Sequence, residues 1–235
     1  MSERKERPIL FNGAMVRAIL EGRKTVTRRL VKGGQIPTEC HDENDPAFRW
    51  SAIGQHDRRY GFNVFGATEG ECAKQLAEYG RCPYGLPGDR LWVRETWYCD
   101  HFEIISGPYL KPVGLDVDEA RECGVLVYAA DGLTPYEAEQ PDWKPSIHMP
   151  RWASRILLEI THVRVERLQD ITRSDIRAEG LQCPPELASD DVSPNHRDWY
   201  PAAFRDLWNS TGGDWDANPW VWVVEFKRVE PVHGV

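Results

Sequence analysis

The chain has no apolar run long enough to cross a bilayer. Its longest such runs, 124–130 and 220–224, stop well short of the roughly 20 residues a spanning helix needs. An excess of positive charge is also missing: 29 Lys and Arg stand against 37 Asp and Glu, a formal net charge of −8. Proteins that coat nucleic acid through phosphate contacts carry the opposite balance, so that class is excluded for the chain as a whole, though not a local basic cleft. Met1 to Pro8 contains no apolar core of the kind a secretory leader uses, so none is expected. The six cysteines include no C-x-x-C pair, and reduced thiols in a cytoplasmic protein are the expectation. Cys40, His41, His56, Cys72 and Cys82 have the residue types of a zinc site without its paired spacing, so no metal and no cofactor is expected. Internal repeats and low-complexity tracts are absent too, which excludes solenoids and arrays.

What remains is 235 residues of ordinary globular composition, 41% hydrophobic and 28% charged, enough to bury a core and too apolar for general disorder. The unusual count is 10 Trp; the core alone accounts for most of them, although such rings also stack on planar ligands.

Along the chain, Pro8 to Phe11 reads as a strand and Asn12 as the N-cap of a helix over Gly13 to Glu21, with Gly22 ending it. Extended structure follows at Arg23 to Leu30. The stretch 31–87 is irregular, with one helix expected around Glu71 to Tyr79. Arg90 to Trp97 reads as a strand that sets Glu95 beside apolar neighbours; such a carboxylate is either paired or at work. After a second irregular stretch, 99–123, strands are expected at Gly124 to Ala130 and Ile156 to Leu168, the latter bent at Thr161-His162. Thr172 and Asp175 predict a capped short helix, Arg173 to Glu179, closed by Gly180. A helix over Tyr200 to Asn209 and a strand over Trp220 to Val229 complete the order. His148 and His162 fall in or beside β structure and read as structural. Many short strands with few helices predict an α+β, mostly β fold: a small β-barrel with peripheral helices.

Four segments, in this order, resemble the ASCH domain family. They are Glu21-Gly22-Arg23-Lys24-Thr25-Val26-Thr27-Arg28-Arg29, Gly88-Asp89-Arg90-Leu91-Trp92-Val93-Arg94-Glu95, Leu168-Gln169-Asp170-Ile171-Thr172 with its helix to Leu181, and Val221 to Phe226. They cover less than half of the chain, and the G-R-K-T-x-T-x-R run is the most specific. The longer form resembles ASCH proteins of phages and prophages. The resemblance implies a PUA-like barrel as a single domain, 1–235, with insertions at about 31–87 and 99–123. It also implies the trio of the small bacterial N4-acetylcytidine amidohydrolases: a lysine, a threonine three residues on and a distant glutamate. Here those are Lys24, Thr27 and Glu179.

That trio suits amide hydrolysis, which needs a nucleophile, a base and a proton donor for the leaving amine. Thr27 would attack the acyl carbon, Lys24 would act as its base, and Glu179 would protonate the amine. Alternatively Glu179 and Lys24 activate water while Thr27 donates a hydrogen bond. Burial and the cations Arg23, Arg28 and Arg29 would lower the Lys24 pKa, whereas Glu179 would raise it, and the sequence leaves that balance open. Arg29, Glu95 and Trp97 are the expected substrate-binding residues, Trp97 by stacking. The expected partner is a small-molecule nucleoside. A reader of RNA or modified bases without hydrolysis, or a ribonuclease, are the competing expectations.

Overall fold

The computed structural model describes residues 4–40, 45–55, 61–105, 109–132, 143–184 and 194–229. In chain order the elements are β1 (Glu6–Leu10), α1 (Gly13–Leu20), β2 (Val26–Leu30), β3 (Thr38–Glu39), β4 (Trp50–Ile53), β5 (Asn63–Gly66), α2 (Glu69–Tyr79), β6 (Arg90–Arg94) and β7 (Trp97–Cys99). Then come α3 (Phe102–Ile105), α4 (Val117–Glu122), β8 (Leu126–Tyr128), β9 (Leu157–Arg167), α5 (Arg173–Ala178), α6 (Pro194–Ser210) and β10 (Trp220–Val229). The architecture is mixed α/β. Its strands form a five-stranded sheet in the order β1-β6-β9-β10-β2, a three-stranded sheet β3-β4-β5 and a pair β7-β8. Among the described residues no sheet closes into a barrel. The strand expected over Arg90 to Trp97 breaks at Glu95-Thr96, because Glu95 N–H turns to the Met149 sulfur (3.3 Å) and the chain re-enters a sheet only at Trp97, against Tyr128. No described helix is long and apolar enough to cross a membrane.

The chain divides into two compact units: Met1–Gly22, Asp89–Glu159 and Lys227–Val235 form the first, Arg23–Gly88 and Ile160–Phe226 the second. In the first, Asn12 caps α1 by accepting from the Met15 amide (2.9 Å), and β1 runs parallel to β6. Its core gathers Trp97, Cys99, Ile104, Leu126, Tyr128 and Met149. In the second, β2 pairs antiparallel with β10 from Val26↔Glu225 to Leu30↔Val221. Side chains alternate across a strand, so Val26 joins Val221 and Val223 on one face, packed with Ile176, Phe204 and Trp208. The stretch 31–87 holds the small sheet β3-β4-β5 as well as α2, whose Thr68–Glu71 capping box fixes its start. At 99–123, α3 and α4 are short.

Candidate active site

The candidate site lies in the second unit and starts from the capping of α5. The Asp175 amide donates to the Thr172 hydroxyl and the Thr172 amide to the Asp175 carboxylate, each at 3.2 Å. The helix ends at Glu179, its C-cap, because Gly180 adopts φ +95°, a conformation that disfavours any residue with a Cβ. A helix end leaves carbonyls without partners. Residues 23–25 supply them: the Thr25 amide donates to Ala178 O (2.8 Å), Lys24 Nζ to Glu179 O (3.1 Å), and the Arg23 guanidinium to Gly180 O. A cation at this end also meets the negative pole of the helix. An antiparallel bridge, Lys24↔Glu179, fixes the register.

This docking buries Lys24. None of its side chain is exposed, and Nζ donates to Val26 O at 2.8 Å and to Glu179 Oε2 at 2.6 Å. The other carboxylate oxygen, Glu179 Oε1, accepts from Arg28 at 3.3 Å. Arg28 continues to Glu166 (2.7 Å) and Asp175 (3.4 Å). Both of those acids also meet Arg164 of β9, at 2.9 Å each, and Arg164 reaches Glu225. Buried charges persist only when paired and hydrogen-bonded, and this alternating network meets that condition.

The balance at Lys24 resolves toward burial. Desolvation pulls its pKa below the ordinary lysine range; the Glu179 charge and hydrogen bond oppose this, and Arg29 and Arg28 reinforce it. Burial likewise lowers Arg29, while Tyr84 and Glu179 oppose this.

Thr27 is buried in β2, in register with Val224. Val26 joins the α5–α6 core and Arg28 reaches Glu179, so Thr27 and Arg29 take the other face, beside Val224 and Trp222. Among the described residues no hydrogen bond links the Thr27 hydroxyl to Lys24. Next to the network is a cavity of about 210 Å³, lined by Arg28, Arg29, Lys32, Tyr84, Trp208 and the loop 211–213.

No family model, no curated protein and no solved structure matches the chain.

Of the residues expected from sequence, Lys24 and Glu179 are in direct contact, and Thr27 and Arg29 follow on β2. Glu95 and Trp97 belong to the first unit, and each is already engaged there. Glu95 is 1% exposed and takes both hydrogen bonds of an Arg155 fork at 3.0 Å. Arg155 also grips Asp131 at 2.7 Å. Burial holds the Glu95 pKa above the usual carboxylate range despite Arg155. Trp97 has no exposed surface; its ring meets Tyr109 and Trp152 edge-on, with centroids 5.8 Å apart in both cases, so it offers no open face for stacking. The sequence reading missed Arg164 and Glu166, although their two-residue spacing on β9 places both on one face, and it missed Tyr84 and Lys32 entirely. His41 and His56 lie outside the described residues, and among the described ones no His, Cys, Asp and Glu cluster could hold a metal ion.

Proposed function

We propose that the second unit carries an amidohydrolase that removes the acyl group from N4-acylated cytosine nucleosides. The observation that supports it is the buried Lys24–Glu179 contact of 2.6 Å, with burial holding Lys24 below the ordinary lysine range. The two rest as an ion pair; passage of the shared proton from Lys24 to Glu179 gives a neutral amine beside a carboxylic acid, one able to accept a proton and the other to give one, and burial of Lys24 eases that transfer. The resemblance of 21–29 and its companion segments to the ASCH family supplies the substrate class and the PUA-like form of the fold.

In this scheme neutral Lys24 takes the Thr27 hydroxyl proton as the Thr27 oxygen bonds to the acyl carbon. The C–N bond then breaks, and protonated Glu179 gives its proton to the departing N4 nitrogen. Water attacks the resulting ester and leaves its proton on Glu179, while Lys24 returns a proton to the Thr27 oxygen. One amide and one water yield one acid and one amine. The lack of a Lys24–Thr27 hydrogen bond favours a second version, in which Lys24 and Glu179 activate water directly and Thr27 donates to the acyl oxygen.

The test is hydrolysis of N4-acetylcytidine, followed by ultraviolet absorbance, for wild type and for Lys24→Ala, Thr27→Ala and Glu179→Ala with their folding checked by circular dichroism. Loss of about 10²–10⁴-fold in each folded variant is expected. An acyl mass on Thr27 in quenched wild type selects the first version, and its absence the second. A folded wild type inert toward N4-acetyl and longer N4-acyl substrates overturns the proposal in favour of a reader of RNA or modified bases.

A further inference from the structure

A cavity of about 630 Å³ lies between α2 and β9, within the second unit, and Lys24, Thr27 and Glu179 are not among its lining residues. Its β9 wall is made of His162, Val163, Arg164 and Val165. Successive side chains of a strand point to opposite faces, so four consecutive residues line one cavity only where the strand turns its edge to it. The sheet order explains why that edge is open. β10 lies along one side of β9 and β6 along the other, but β6 reaches no further than Glu159. The Gly88 amide adds one bond, to Ile160 O at 2.8 Å. There the pairing ends, because Gly88 turns at φ +91° and Pro87 before it has no amide hydrogen with which to continue. From Thr161 on, this edge of β9 has no strand beside it among the described residues, and alternate peptide groups along it point outward.

The facing wall is α2, which presents Gly70, Lys74, Ala77 and Glu78 as one helical stripe. A helix laid beside an open edge ordinarily covers it. Here the space between falls within the roughly 300–1,000 Å³ of ligand pockets, so α2 walls the edge and does not cover it. Arg167 at the end of β9 pairs with Glu69 at the start of α2 and ties the two walls together there. From Gly70 to Glu78 the helix rises about 12 Å. An extended chain spans that length in about four residues. The surface is apolar at Ala77, Leu86 and Pro87 and carries two exposed, opposite charges on α2, Lys74 and Glu78. They stand about 6 Å apart along the helix, close to the spacing of about 6.6 Å between strand residues two positions apart on one face. Arg164, by contrast, is already held by Glu166, Asp175 and Glu225.

We propose that this groove receives an extended segment of a partner protein, about four residues long, which adds to β9 as a further strand and sets an acidic and a basic residue, two positions apart, against Lys74 and Glu78. Peptide groups repeated along an edge match another extended backbone, whereas a compact ring meets only one of them. The two wall charges fix the chemistry of the segment and its register. The proposal does not depend on the amidohydrolase reading, and neither result of the hydrolysis assay bears on it.

The test is selection from a random hexapeptide display library on the immobilised full chain, followed by calorimetry with the enriched peptides made synthetically. Enriched sequences are expected to carry an acid and a base two positions apart in one fixed order. The double variant Lys74→Glu/Glu78→Lys keeps the composition and places the charges in the better helical orientation, so it should fold, and it should enrich the opposite order. Methylating alternate backbone nitrogens of a selected peptide should weaken binding about tenfold to a hundredfold in one phase and little in the other, since only every second amide faces β9. Ala77→Trp, with its folding checked by circular dichroism, should fill the groove and abolish binding. Four results overturn the proposal: no enrichment on wild type, enrichment indifferent to the charge swap, equal tolerance of both methylation phases, or retention of binding in Ala77→Trp. A dimer in analytical ultracentrifugation that Ala77→Trp dissociates gives the edge to a second copy of this chain and overturns the assignment to a partner.

Discussion

Replacing Glu179 by Gln tests the network at its centre. The amide keeps the shape and removes the charge. Arg28 retains Glu166 at 2.7 Å and Asp175 at 3.4 Å, so the deficit falls on Lys24, whose side chain has no exposed surface. Stripping a buried cation of its partner costs about 3–5 kcal/mol if the charge stays. Lys24 has a second option, to fold without its proton. That route costs about 1.4 kcal/mol for each pH unit below the unfolded lysine value of about 10.4, hence about 5 kcal/mol at pH 7 and about 2 at pH 9. The sign follows from linkage: with the Lys24 pKa lowered in the fold, the unfolded chain binds the extra proton, and stability rises with pH from the folded value up to the unfolded one. Urea unfolding of wild type and Glu179→Gln at pH 7 and pH 9 measures this. A deficit of about 3–5 kcal/mol at pH 7, shrinking at pH 9, is expected, and Lys24→Met should restore part of it in the double variant. A loss under about 1 kcal/mol at pH 7, or one that does not shrink, refutes the view that Glu179 is what keeps Lys24 charged.

Two further perturbations probe other charges. Arg155→Met leaves Glu95 buried without its fork; it should destabilise by about 3–5 kcal/mol at pH 7. Because the folded Glu95 pKa lies above its unfolded value, that loss should ease as the pH falls from 7 toward 5, read by thermal unfolding across that range. Asp175→Asn weakens the α5 cap and two ion pairs, for about 1–2 kcal/mol at pH 7. Burial opposes Asp175 ionisation, but the Thr172 hydrogen bonds, Arg28 and Arg164 outweigh it and lower its pKa; its contribution is present above the unfolded value of about 3.9 and fades as pH falls through the folded one, so wild type and variant should converge in acid.

What the sequence made legible is what is decided locally. Asn12 caps α1, Thr172 and Asp175 cap α5, and β10 spans Trp220–Val229 as its apolar pattern predicts. These features depend on neighbours within four residues. The site was half legible: Lys24 and Glu179 meet, and the resemblance pointed to both. Their ion network was not, because Glu166 lies 138 residues from Arg28 in sequence. The Glu95–Arg155 pair is hidden in the same way, 60 residues apart, and it turns a candidate binding residue into one that is already satisfied. The β3-β4-β5 sheet escaped because its strands are two to four residues long and alternate too briefly to show a period.

The Lys24–Glu179 contact has a further consequence, for synthesis. Its two halves are 155 residues apart. Closing a loop of that length costs about 4–5 kcal/mol of chain entropy before any contact across it is rewarded. Nothing short of the chain through Glu179 can hold the lysine in place, so a nascent or truncated protein has no means of displaying the pair. Lys24 leaves the ribosome early and waits, solvated and fully basic, until the helix that will receive it has been made. Whatever chemistry the pair performs switches on only once the chain through Glu179 has been translated and the two segments have docked.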